Sequence, residues 1–130
     1  MHVKVLTNDV NKKLGEQIGY SASKIEGRQE KVRKEETNLG NLIADLIRSE
    51  FNADFAISNG GGLRADNVFK EGPIKFSFLA KVVPITEKVV KGSLTGRNLK
   101  QIMEHGLSNA SSLDGRWPVI SGFRIKFDPT

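Results

Sequence analysis

Asp54-Phe55-Ala56-Ile57-Ser58-Asn59-Gly60-Gly61-Gly62-Leu63-Arg64 runs a short apolar stretch straight into three consecutive glycines. The apolar part reads as a buried strand. The glycines cannot fill a core, and ordering them costs more backbone entropy than ordering any other residue. A folded chain keeps such a run where the backbone needs positive φ angles or where something approaches it closely. Asn59 offers an amide donor and acceptor, and Arg64 a planar fork suited to phosphate or carboxylate. The loop is therefore either a cradle for an anion-bearing small molecule or a tight strand-to-loop turn with Arg64 in solvent.

Upstream lies the clearest helix. Thr37 or Asn38 can cap its free N–H groups, and Leu39, Leu42, Ile43, Leu46 and Ile47 follow at offsets 0, 3, 4, 7 and 8. That spacing is one helical face laid on a core. Arg48 complements the dipole in the last turn, and Asn52 or its neighbour ends the helix. Further upstream, Val10, Leu14 and Ile18 stand four apart and predict a helix over residues 8–20, ending near Gly19. Residues 21–36 read as extended or irregular and highly charged.

Downstream, Gly72-Pro73 marks a turn and Ile74-Lys75-Phe76 resumes extended structure. Ser77 is placed to cap one or two helical turns through Phe78, Leu79 and Val82, stopped by Pro84. A strand is expected from Val89-Val90 to Leu94. Thr95-Gly96 then opens a second amphipathic helix with Leu99, Ile102 and Met103 on one face and Gly106 as a left-handed C-terminal cap. After the polar loop 108–116, Phe123, Ile125 and Phe127 alternate with Arg124 and Lys126, the period of a half-buried strand. Helices and strands interspersed without strict alternation indicate an α+β domain with a mixed sheet and packed amphipathic helices, one domain over residues 1–130.

Composition narrows the function classes. The chain has 130 residues, 38% of them hydrophobic and 27% charged, enough to bury a real core rather than stay disordered. No stretch approaches the ~20 apolar residues of a membrane helix. The N-terminus is too short and polar to read as a signal peptide, and the compartment stays open. The absence of Cys excludes a disulfide framework and thiolate metal sites. A net charge of +5 favours an anionic partner. The densest basic stretch, Arg28 to Lys34, is interrupted by Glu30 and has no interleaved aromatics, so nucleic acid is the least favoured partner.

Five motifs in order now carry a resemblance. Glu36-Thr37-Asn38-Leu39-Gly40-Asn41-Leu42-Ile43-Ala44-Asp45, Asn59-Gly60-Gly61-Gly62-Leu63-Arg64, Leu94-Thr95-Gly96, Glu104-His105-Gly106 and Val119-Ile120-Ser121-Gly122-Phe123-Arg124 with Phe127-Asp128-Pro129 resemble the C-terminal domain of the 5′-nucleotidase/UDP-sugar hydrolase family. The resemblance runs from about Val10 to Thr130. It implies a domain that binds and selects a nucleotide or related phosphorylated small molecule. Catalysis is then expected in a separate N-terminal metallophosphoesterase domain with two divalent metal ions, which activate water and neutralise developing phosphoryl charge. The only histidines here are His2 and His105, so no metal and no catalytic residue is expected in this chain, which alone should be inactive.

The same resemblance assigns residues. Arg64 matches the arginine that holds the substrate's phosphate, Arg33 a second phosphate-side arginine, and Asn59 the asparagine that contacts the nucleoside; Gly60, Gly61 and Gly62 are the loop itself. Two guanidinium groups on one polyanion give oriented, charge-assisted hydrogen bonds. Asn38 is expected to act as a cap, His105 to meet the helix dipole, and Trp117 to pack at a sheet edge. The family clamps its base between two aromatic rings. Ile85, in Val83-Pro84-Ile85, stands where the first would be, and the chain stops before the Gly-Gly-Asp-Gly segment that carries the second. The chain therefore reads as a truncated substrate-recognition domain, the alternative being a stand-alone binding or structural module of the same fold. A missing last strand would leave a sheet edge open, so pairing of two copies is a further expectation.

Overall fold

The computed structural model describes residues 10–85 and 87–128. Residues 8 and 9 of the expected first helix, and Pro129 of the last motif, lie outside them. In chain order the elements are α1 (residues 10–15), β1 (Gln17–Ser21), β2 (Ile25–Glu26), α2 (Gln29–Val32), α3 (Asn38–Glu50), β3 (Ala56–Asn59), a 3₁₀ turn (Gly60–Gly62), β4 (Val68–Phe69), β5 (Gly72–Lys75), α4 (Phe76–Val82), α5 (Gly96–Leu107) and β6 (Pro118–Ser121). The architecture is α+β, as the residue pattern indicates. Among the described residues the strands pair as three two-stranded antiparallel ribbons, β1–β5, β2–β4 and β3–β6, rather than in one mixed sheet.

Helix α3 organises the core. Thr37 is its N-cap: extended backbone lets its hydroxyl accept from the Gly40 N–H at 3.1 Å. Leu39, Ile43 and Ala44 are buried, together with Val32, Leu63, Phe78, Val82 and Val119 from the surrounding elements. Apart from Ala44, each such side chain contributes about 1.5–3 kcal/mol by leaving water. The apolar stripe is narrower than its spacing indicates: Leu42 and Ile47 are half-buried, and Leu46 is 52% exposed. Gly40 lets α3 sit close on β6, since a Cβ there would lie 3.3 Å from Val119 Cγ1. Ser121 of β6 completes the contact by donating its hydroxyl to Asp45 on α3.

Asn38 has another task than capping. Its Oδ1 accepts from the Glu26 N–H and its Nδ2 donates to Lys24 O, both at 2.8 Å, so it pins β2 to the start of α3. Ser77 is not a cap either: α4 begins at Phe76, whose N–H donates to Glu16 O at 2.8 Å. The predicted helix over 8–20 stops at residue 15, because residues 17–21 pair with β5 and leave Val10 and Ile18 exposed. Gly106 lies inside α5, where a Cβ would be 3.2 Å from Arg116 O; it serves close packing rather than a left-handed cap.

Two expected strands do not form. Residues 87–95 have no ladder partner among the described residues, and Val90 is 87% exposed. Lys91 holds that segment instead, its Nζ donating to Phe51 O at 2.7 Å and Asn52 O at 3.2 Å behind α3, where a cation suits the exposed carbonyls. In 123–127 the alternation is real but has no ladder partner among the described residues. Gly122, at φ +90°, turns the chain out of β6, and Phe123 and Phe127 pack edge-on against Phe55 and Trp117. Among the described residues no helix is long and apolar enough to cross a membrane.

Thr37→Ala removes the cap of the helix on which the core is built. Urea unfolding should show a loss of about 1 kcal/mol, whereas Leu46→Ala at its exposed position should fall within about 0.5 kcal/mol of the parent.

Candidate functional site

The glycines after β3 answer the choice between positive φ and close approach. None of the three lies in the positive-φ region; they form a single 3₁₀ turn. What they supply is space. A Cβ on Gly60 would sit 1.9 Å from Val32 O, and one on Gly61 would sit 3.0 Å from Gly115 O. Gly62 is roomier, with its nearest neighbour, Asn59 Oδ1, at 4.0 Å.

The amides of this turn are already engaged. Gly60 N–H donates to Trp117 O and Gly61 N–H to Gly115 O, each at 2.8 Å, and Asn59 Nδ2 donates to Gly115 O at 3.2 Å. A cradle of free glycine N–H groups is therefore not what Gly60 and Gly61 form. Gly115 is buried at φ +94°, and a Cβ there would be 2.9 Å from Gly61 Cα. The turn is thus wedged between α2 and the loop 113–117.

Arg33 and Arg64 flank that wedge. Arg33 follows α2, and its Nη1 donates to Leu113 O at 2.5 Å beside Gly115. Its Nε is buried without a hydrogen-bond partner among the described residues. Arg64 is exposed and donates Nη1 to Gly61 O at 3.1 Å, while its backbone N–H is held by Val82 O at 2.8 Å. Among the described residues neither arginine has a carboxylate partner. Arg33, Asn59, Gly60, Gly61, Gly62 and Arg64 therefore come together. Ile85 is 55% exposed on the segment leaving α4, three residues after Val82, whose carbonyl accepts from the Arg64 N–H.

Other polar contacts aim Arg33 by fixing α2. Asp66 Oδ1 accepts from Gln29 N–H at 2.9 Å, and Gln29 Nε2 donates to Leu63 O at 3.2 Å. Before the helix, Arg28 binds both carboxylate oxygens of Glu26, at 2.9 and 2.7 Å. That guanidinium holds the Glu26 carboxyl down at about 2, from an ordinary 4.5. Across the wedge, the Asp114 carboxyl is also lowered, by the Arg116 N–H and then by the Asn109 amide.

The loop 113–117 supplies carbonyls to Arg33, Asn59, Gly60 and Gly61, and sequence reasoning had it only as a polar connection. The Asp114-Gly115 pair is the signal that could have marked it, being a strong turn former. His105 lies in the last turn of α5, where a basic residue faces the dipole, and with Asn59, Gly115 and Arg116 it lines a cleft of about 610 Å³ beside the turn. Trp117 packs half-buried and edge-on to Phe127, as a packing residue would. Among the described residues no three of His, Cys, Asp and Glu gather to hold a metal ion, so the donors here do not make a metal centre.

Comparison with known proteins gives this geometry its family. The model of the 5′-nucleotidase C-terminal domain matches residues 17–130, and the chain belongs to that family. It is 35% identical over 124 residues to the trifunctional nucleotide phosphoesterase protein YfkN of Bacillus subtilis, across 92% of this chain and 8% of YfkN. It is 37% identical over 82 residues to protein UshA of Escherichia coli, across 63% of this chain and 14% of UshA. The crystal structure of the 5′-nucleotidase precursor from Thermus thermophilus superposes with a TM-score of 0.73 at 25% identity, across 92% of this chain and 24% of that one. The chain therefore spans only a small part of the relatives it matches.

Two measurements check how the site is held. Gly60→Ala forces a Cβ into a backbone carbonyl and should lose about 3 kcal/mol or more on urea unfolding, while Gly62→Ala should keep the fold. The Glu26 carboxylate, with its folded pKa depressed, stabilises the fold above pH 4.5 and ceases to as pH falls towards about 2. The stability gap between the parent and Glu26→Gln should be full at neutral pH and close across that window.

Proposed function

We propose that this domain is the substrate-recognition part of a 5′-nucleotidase-like phosphoester hydrolase. It holds the phosphate and nucleoside of a nucleotide against a metal-dependent N-terminal metallophosphoesterase domain, in which the two divalent metals and the hydrolytic chemistry reside. In this reading residues 1–130 are one recognition domain, and it contributes to nucleotide breakdown without a catalytic residue of its own.

One observation carries the proposal. Two guanidinium groups without carboxylate partners among the described residues flank the same glycine turn, each pre-oriented by a single bond to a backbone carbonyl. Arginine has five donors in a fixed fork, so one such bond leaves most of each fork for a ligand. A polyanion between them gains charge-assisted, bidentate hydrogen bonds. Asn59, bonded to Gly115 O through its Nδ2, keeps its carbonyl oxygen as an acceptor for the nucleoside. The names of YfkN and the Thermus relative, a nucleotide phosphoesterase and a 5′-nucleotidase, support the same substrate class. The family's pairing of this domain with a catalytic one supports the partner.

Titration of the ¹⁵N-labelled chain with AMP should shift the amides of residues 59–64 and of Arg33. Arg64→Ala and Arg33→Ala should each weaken AMP binding about tenfold, the loss of one hydrogen bond to a charged group. AMP binding that ignores both substitutions would overturn the assignment. Phosphate release from AMP by this chain with added divalent metal is expected to be absent.

A further inference from the structure

A second cleft, of about 320 Å³, opens between β4, β5 and α4. Its place follows from the backbone. β4 pairs with β2 and β5 with β1, so Lys70-Glu71 must carry the chain from one ribbon to the other. Gly72, at φ +136°, completes that passage, in a region open mainly to glycine. A Cβ there would meet nothing within 4 Å, so conformation and not packing asks for glycine. α4 begins directly after β5 and brings Ser77, Phe78 and Lys81 to the same cleft.

Lys70, Lys75 and Lys81 line this cleft, and no Asp or Glu does. All three lysines are exposed, and none takes part in an ion pair among the described residues. Lys13 adds a cation close by, its Nζ 5.5 Å from the centre of the Phe76 ring. Unanswered like charges gathered on one concave surface focus a positive potential. Lysine is a flexible point charge with three donors, suited to a phosphate approached from several sides. Ser77, half-buried, adds a hydroxyl. The floor is apolar. Phe69 packs edge-on against buried Phe78 with ring centroids 4.7 Å apart, and both Phe69 and Ile74 are only partly buried. The volume sits at the small end of the range of about 300–1,000 Å³ that takes small organic ligands.

We infer that this cleft is a second anion site, for a small phosphomonoester whose apolar body lies on Phe69 and Ile74 while its phosphate meets the three lysines. At neutral pH a phosphomonoester carries about two negative charges and three acceptor oxygens. That answers the gathered ammonium groups better than the single charge of a carboxylate. Inorganic phosphate would leave the apolar floor in water. The cleft shares no residue with the arginine-flanked turn, so the site does not rest on the function proposed above. The same phosphate chemistry occurs on a soluble ligand and on a lipid surface, and the test separates the two.

Phenyl phosphate is the probe. In the ¹⁵N-labelled chain it should shift the amides of Lys70, Gly72, Ile74, Ser77 and Lys81, and inorganic phosphate should bind there more weakly. Lys75→Gln and Lys81→Gln change exposed positions and should leave the fold intact. Each should weaken phenyl phosphate in the cleft about fivefold, with no change in any shifts at residues 59–64. Sedimentation with phosphatidylcholine vesicles containing phosphatidic acid, lost when both lysines are substituted, would support the site and assign its phosphate to a lipid surface. Phenyl phosphate in the cleft without sedimentation would support the site and assign it to a soluble ligand. Shifts confined to Arg33 and residues 59–64, with parental affinity in both variants, would overturn the second site and leave the arginine reading standing. Cleft shifts that ignore both substitutions would overturn it, as would no cleft shifts up to the solubility limit.

Discussion

The backbone of Gly60 lies so close to the carbonyl of Val32 that no side chain fits between them. The rest of the candidate site depends on that approach. It brings the end of β3 against the end of α2, and so Asn59 near Arg33. The Gly60 N–H, turned from α2 to Trp117 O, draws in the loop 113–117 as the third wall. Such close approach is open only to glycine. A turn that merely reversed the chain would need less.

Much of this was legible in the residues because local chemistry decides it. The cap at Thr37, the helix behind it and the cap at Thr95 rest on contacts three residues apart, which a linear pattern records. Asn38 was read as a cap because it looks like one. Its amide instead bonds Glu26 and Lys24, more than ten residues away, and no local pattern distinguishes the two uses. The strands expected at 89–94 and 123–127 failed for a related reason: alternation reports a willingness to pair, while a ladder also needs a neighbour. The loop 113–117 was the least legible part, because what it contributes is carbonyl oxygens, and every residue has one.

The site is built from a few polar contacts made between elements rather than within them. Arg33 comes from the end of a four-residue helix too short to hold itself, and it is aimed by Asp66, Gln29 and the Glu26–Arg28 pair on neighbouring segments. Arg64 is held at its backbone by α4 and at its side chain by the turn. By its match over residues 17–130 the chain belongs to the 5′-nucleotidase C-terminal domain family.

The three carbonyls that grip the site come from Leu113, Gly115 and Trp117, alternate residues of one short stretch. They act like the teeth of a comb. The connection before Leu113 gives the site no carbonyl; its Ser108, Asn109 and Ser112 side chains brace Arg116 and Asp114 instead, so its length is less tightly constrained. Inserting or deleting one residue between Leu113 and Trp117 is different in kind. It would put every second tooth on the wrong side, releasing Arg33, Asn59 and both glycine amides together rather than one at a time. Divergence in this domain should therefore show as variable length on one side of Leu113 and fixed length on the other.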